Sequence, residues 1–133
     1  MFIGVDFDGT CVKHMFPAIG DDIGAIPVLK ELVAAGHKLI LNTMRSDDYH
    51  KNRFVLTEAI QWFKSNDIPL FSANGNPTQS NWTSSPKVYA HLYIDDAALG
   101  IPLIYPKDPE ERPWVDWKKA RKLLIKHGII PKT

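Results

Sequence analysis

Short apolar runs punctuate the chain at Phe2 to Val5, Leu39 to Leu41, Leu70 to Phe71, Leu92 to Ile94 and Leu103 to Tyr105. Each is too brief for a helix, and runs without a polar alternate read as strands buried on both faces. Between them the spacing turns helical. Val28, Leu29, Leu32 and Val33 line one side of a segment from Ile26 to Ala35, with Pro27 suited to the first turn and Gly36 to a left-handed stop. A second helix is expected from about Asp47 to Ser65, with Ser46 or Asp47 as N-cap and Val55, Leu56, Ala59, Ile60 and Phe63 on its apolar side. A third, Trp114 to His127, places Trp114, Trp117, Ala120 and Leu124 together and ends at Gly128. Strand and helix in alternation predict an α/β domain with a mostly parallel sheet.

Composition narrows the picture. The 133 residues suit one domain spanning 1–133, and a 44% hydrophobic share with 23% charged residues excludes disordered and coiled-coil classes. The formal charge of +1 speaks against a polyanion binder that works by bulk electrostatics. That total is a cancellation, however. Residues 1–113 carry 10 basic and 14 acidic side chains, net −4, whereas residues 114–133 carry 6 and 1, net +5. Lys118, Lys119, Arg121, Lys122 and Lys126 surround the polar side of the third helix, either as a solvated face or as a docking strip for an anionic partner such as a nucleic-acid end. The single Cys11 cannot form an internal disulfide, and the start MFIGVDFDGT lacks the basic and long apolar regions of a signal peptide. No apolar run approaches the roughly 18 residues of a membrane span, so no membrane partner is expected and a reducing cytoplasm is the expected compartment.

Polar residues cluster where strands end, which in an open parallel sheet is where ligands bind. Phe2 to Val5 runs into Asp6, Phe7, Asp8, Gly9 and Thr10; Leu39 to Leu41 into Asn42, Thr43, Met44 and Arg45; Leu92 to Ile94 into Asp95 and Asp96. Lys87 follows the loop-rich stretch from Ser72 to Pro86. Two carboxylates about 4 Å apart repel by roughly 4 kcal/mol at an effective dielectric near 20, so four on one edge call for a cation or for protons. Oxygen donors without His or Cys in these segments point to Mg²⁺.

The ordered set DFDGT, a strand ending in Thr43, then Lys87, then a strand ending in Asp95 and Asp96, resembles the four motifs of the haloacid dehalogenase superfamily of phosphotransferases. The match spans residues 6–96. It implies a three-layer, Rossmann-like core with helices on both faces of the sheet, and an Mg²⁺-dependent phosphohydrolase acting on a phosphomonoester. Asp6 would be the nucleophile that becomes an aspartyl phosphate, and Asp8 the general acid and base, its backbone carbonyl binding the metal. Thr43 and Lys87 would contact the transferring group. Gly9 and Thr10 would form a turn whose amides approach the phosphate, making a large side chain at Gly9 damaging. Asp95 and Asp96 would complete the metal site with Asp6 and Asp8, Asp96 being the favoured direct ligand and Asp95 remaining open.

Arg45 lies outside the shared motifs and either reaches a substrate phosphate or pairs with Asp47 or Asp48 at the surface. His14, His37, His50, His91 and His127 show no metal-ligand spacing and read as surface or packing residues. Trp82 reads as an anchor of its loop. The intervals from Asp8 to Thr43 and from Thr43 to Lys87 are filled by ordinary core elements, so no cap domain is expected. An open site suits a phosphorylated small molecule or macromolecular end. Two rival readings remain: a receiver-type phosphoacceptor domain, whose acidic pair would come early and whose acceptor Asp would lie mid-chain, and a non-catalytic metal-binding module on the same scaffold.

Overall fold

The computed structural model describes residues 1–48 and 52–132; His50 lies outside them. Strands β1 (Phe2–Val5), β2 (Lys38–Leu41), β3 (Ser72–Ala73) and β4 (Leu92–Ile94) form one parallel sheet in the order β3-β2-β1-β4. Helix α1 (Ala25–Ala34) connects β1 to β2, and α2 (Val55–Ser65) connects β2 to β3. After β4 a small antiparallel pair, β5 (Leu103–Ile104) and β6 (Trp114–Val115), leads into α3 (Trp117–Lys126). The fold is α/β with a parallel sheet, as the alternation of apolar runs predicts, and Rossmann-like, as the resemblance implies.

Register explains the core. Ile3 pairs with Leu39 and Leu92, and Val5 with Leu41 and Ile94, so strand alternation sends these side chains to one face. There they meet Val28, Leu29 and Leu32 of α1, Ala59 and Phe63 of α2, and Trp117, Ala120 and Leu124 of α3 in a single buried cluster. Each fully buried Leu, Ile or Phe in it contributes about 1.5–3 kcal/mol. The chain steps from β1 to β2 to β3 in one direction, and right-handed crossovers therefore put α1 and α2 on the same side. The opposite face, with Phe2, Gly4, Ile40 and Tyr93, carries the segment between β3 and β4. Its helical content among the described residues is the 3₁₀ turn Pro77–Gln79. Aromatic rings cover it in place of an α-helix: Phe2 lies 5.3 Å from Phe71 and 5.8 Å from Tyr89, and a Cβ on Gly4 would touch the Tyr93 ring.

Three boundaries differ from the sequence pattern. β3 falls at Ser72–Ala73, beyond Leu70 and Phe71, because the ladder to β2 continues there through Phe71 N–H to Leu39 O and Asn74 N–H to Leu41 O, both 2.7 Å. Helix α2 begins at Val55, yet Asp47 still caps it from across the intervening loop: Oδ1 accepts the Leu56 and Thr57 amides at 2.9 Å, and Oδ2 accepts the Thr57 hydroxyl at 2.6 Å. Trp114 belongs to β6, not to the third helix, because Asp116 takes the N-cap position and accepts the Lys119 amide at 3.1 Å.

Candidate functional site

The turn after β1 is built around a buried Phe7. Its carbonyl accepts the Thr10 and Cys11 amides at 3.1 and 2.8 Å, while the Gly9 amide donates to Val12 O at 2.8 Å. Asp6 and Asp8 thereby line the same cleft on either side of the anchoring ring. Gly9 has φ +83°, and a Cβ there would overlap the His14 ring and the Asp96 carboxylate, which accounts for the glycine. One expectation is corrected at this turn. The amides of Gly9 and Thr10 are spent on Val12 and Phe7, so neither is directed at a phosphate.

Asp6, Asp95 and Asp96 converge, with one carboxylate oxygen of each within 4.8 Å of the others. Thr10, fully buried, organises them: its hydroxyl donates to Asp6 Oδ2 at 2.8 Å and accepts the Asp96 amide at 3.0 Å. Thr10 is thus a spacer between the acids and not a phosphate ligand. Its carbonyl accepts Trp117 Nε1–H at 2.6 Å, tying α3 to the turn. Burial, a hydrogen bond that the protonated Asp6 carboxyl donates to Asp96 and the charge of Asp95 push the Asp6 carboxyl up to about 8, against a usual 3.8. Three clustered acids without a cation retain a proton between them. Asp95 also accepts the Ala97 amide through Oδ1 at 2.8 Å, and Asp96 Oδ2 lies 2.9 Å from His14 Nε2.

Arg45 is not the phosphate ligand or surface pair expected from the sequence. Its side chain is buried, and every guanidinium N–H has a partner. Nε and Nη2 hold Asp8 in a bidentate pair at 2.8 Å each, Nη2 also donates to Ala18 O, and Nη1 donates to Pro17 O and Val55 O. Phe7 and Phe16 flank the guanidinium at 5.0 and 5.1 Å from its carbon. A planar fork sealed this way joins the turn after β1, the segment at 17–18 and the start of α2.

Thr43 lies at the end of β2 with its amide donating to Asn74 Oδ1 at 2.8 Å, while Asn74 Nδ2 donates to Arg45 O at 3.2 Å. The Thr43 Oγ1 accepts the Arg45 amide at 3.1 Å. Lys87 departs from expectation. It lines a neighbouring depression of about 420 Å³ with Asn42, Tyr93 and Asp95, and its Nζ sits 5.6 Å from the Tyr93 ring centroid, with no ion pair to Asp6 among the described residues.

The cleft measures about 570 Å³ and is lined by Asp6, Asp8, Thr43, Arg45, Asp95 and Asp96, with His14, Phe16, Met44, Ala97 and Arg112 at its margins. A larger depression of about 640 Å³ beside β3 is lined by Ile60, Phe63, Ile68 and Leu70, and Asp67 is its lone carboxylate, so chemistry favours the smaller one. His14, Asn74 and Arg112 are the site residues that sequence reasoning missed. Asn74 obeys the same strand-end rule that found Thr43, but the expected strand stopped short of it.

Four parallel strands with three carboxylates meeting at their C-terminal edge define a Rossmann-like α/β protein with an acidic crevice. A conserved protein from Bacteroides thetaiotaomicron has a solved structure of the same fold, with a TM-score of 0.73 and 34% sequence identity over 100% of this chain and 93% of that one. This chain belongs to the same family as that protein. No family model and no curated protein matches it. Among the described residues no helix is long and apolar enough to cross a membrane.

Proposed function

We propose that the chain is an Mg²⁺-dependent phosphohydrolase of the haloacid dehalogenase superfamily, cleaving a phosphomonoester through an aspartyl phosphate on Asp6. One observation carries the reading: Asp6, Asp95 and Asp96, from the ends of adjacent strands, bring oxygens within 4.8 Å of one another in a cleft that Asp8 and Thr43 also line. The donor set fits a hard divalent cation, since all three groups offer oxygen and repel one another without a positive charge. These three carboxylates would hold Mg²⁺, together with the Asp8 carbonyl that the resemblance implies. Bound there, the ion supplies positive charge to offset that of a phosphoryl group.

The chain's own groups then divide the work. The Asp6 carboxylate attacks phosphorus in line, the bond from phosphorus to the leaving oxygen breaks, and Asp8, turned so that one oxygen leaves Arg45 and carries a proton, gives that proton to the leaving oxygen. Water attacks the aspartyl phosphate, its proton passes to Asp8, and inorganic phosphate leaves with Asp6 restored. The Thr43 oxygen already accepts the Arg45 amide, so its hydroxyl proton is free to turn toward a phosphoryl oxygen. Lys87 joins by turning from Tyr93 toward the shared Asp95 wall. The substrate is a phosphorylated small molecule or macromolecular end in a cytoplasmic, reducing setting. The exposed lysines of α3 make a nucleic-acid end one candidate.

Phosphate release from an aryl phosphate, with and without Mg²⁺, tests the reading. Asp6→Asn is expected to lower the rate by on the order of 10³-fold or more, and an Asp6→Asn protein that turns over normally would sink it. A non-catalytic metal-binding module is the second reading. It draws on the bidentate hold of Arg45 on Asp8 and on Lys87 lying against Tyr93 with no ion pair to Asp6 among the described residues. Metal binding without turnover across a broad phosphoester panel would favour it.

A further inference from the structure

We infer that His14 is a positioning residue for the Asp96 carboxylate, fixing the orientation in which Asp96 meets a divalent cation. This rests on the metal-centre reading above and deepens it. His14 Nε2 lies 2.9 Å from Asp96 Oδ2, with the two side chains only 14% and 13% exposed. The other oxygen, Oδ1, faces the Thr10 hydroxyl at 3.4 Å. The two carboxylate oxygens therefore have different duties. His14 pins Oδ2, and Oδ1 is left on the side of Thr10 and Asp6.

Electrostatics gives the contact its purpose. An aspartate beside two other carboxylates is repelled from them and has free torsions through which to swing away. A ring N–H on Oδ2 opposes that swing and holds the acid where the triad needs it. The backbone supports the same arrangement. Lys13 N–H donates to Asp21 O at 3.0 Å and Val12 bridges to Asp22, which fixes the segment that carries His14. The ring then occupies the space that a side chain at Gly9 would fill. His14 is outside the converging oxygen triad, so it orients a ligand without being one.

The test uses the full chain with Mn²⁺ as probe, its binding read by electron paramagnetic resonance without substrate. His14→Leu removes the donor, and His14→Gln restores an amide N–H near the Nε2 position. Circular dichroism and urea denaturation establish that each variant is folded, with His14→Asn, whose amide stops short of Asp96, replacing the Leu variant if that one does not fold. His14→Leu is expected to weaken Mn²⁺ binding about 10- to 100-fold, Gln to recover most of the loss, and excess Mg²⁺ to restore kcat. Normal Mn²⁺ affinity in folded His14→Leu, or a Gln variant as weak as Leu, overturns the inference. A kcat loss at normal metal affinity overturns it in favour of direct substrate contact. Wild-type protein that binds no Mn²⁺ overturns the metal-centre reading itself, a separate result.

Discussion

Burial and the neighbouring Asp96 and Asp95 raise the Asp6 carboxyl to about 8, so the metal-free protein keeps a proton that an unfolded aspartate would have lost near 3.8. The sign follows from linkage. With the folded value above the unfolded one, the Asp6 contribution is fully present below 3.8 and declines as pH rises toward about 8. Thermal melts in chelator should therefore show Asp6→Asn more stable than wild type at pH 8, by on the order of 5 °C, with the difference vanishing near pH 4. An equal difference at both pH values contradicts the account. At this scale the three clustered acids were readable because each follows a strand directly. The partners of Arg45 and His14 were not, since Asp8 lies 37 positions from Arg45 and Asp96 lies 82 from His14.

Elements depend on contacts that local pattern gives incompletely. Helix α2 has five apolar positions at helical spacing, and that periodicity identified it, but its start was set by Asp47 reaching across the loop to the Leu56 and Thr57 amides. The Thr57 hydroxyl, together with those two amides, holds the Asp47 carboxyl below its usual 3.8. Asp47→Ala is expected to lower the Tm by a few degrees above that pH. Its deficit should fade as pH falls through the depressed folded value, where the wild-type carboxylate is itself protonated. Melting curves from pH 7 to pH 2 measure this. In β6, a two-residue pairing with β5 took Trp114 out of the helical pattern, and the side chain of Asp116 made the new boundary. A short strand of this kind has no periodicity to announce it.

Across the whole molecule, α3 is joined to the acidic turn by the Trp117 Nε1–H bond to Thr10 O, 107 residues apart in sequence. The Arg121 pair with Glu31 also fastens α3 to α1, but with its charged groups open to solvent it contributes little. Trp117→Phe keeps a six-membered ring, removes the donor and strands a buried carbonyl, and should cost roughly 1–3 kcal/mol in urea denaturation. If it leaves stability unchanged, the hydrogen bond does not help to hold α3 in place. The sequence by itself determined the α/β class, the parallel sheet and the gathering of Asp6, Asp8, Thr43, Asp95 and Asp96 at one edge, because strand period and crossover rules act over short stretches of chain. Only the tertiary structure decided that all three helices share one face, that Arg45 closes on Asp8, that Lys87 stands aside and that His14 reaches Asp96. Those outcomes depend on which distant segments meet, and a side chain's hydrogen-bonding capacity does not name its partner until the fold has brought one within 3 Å.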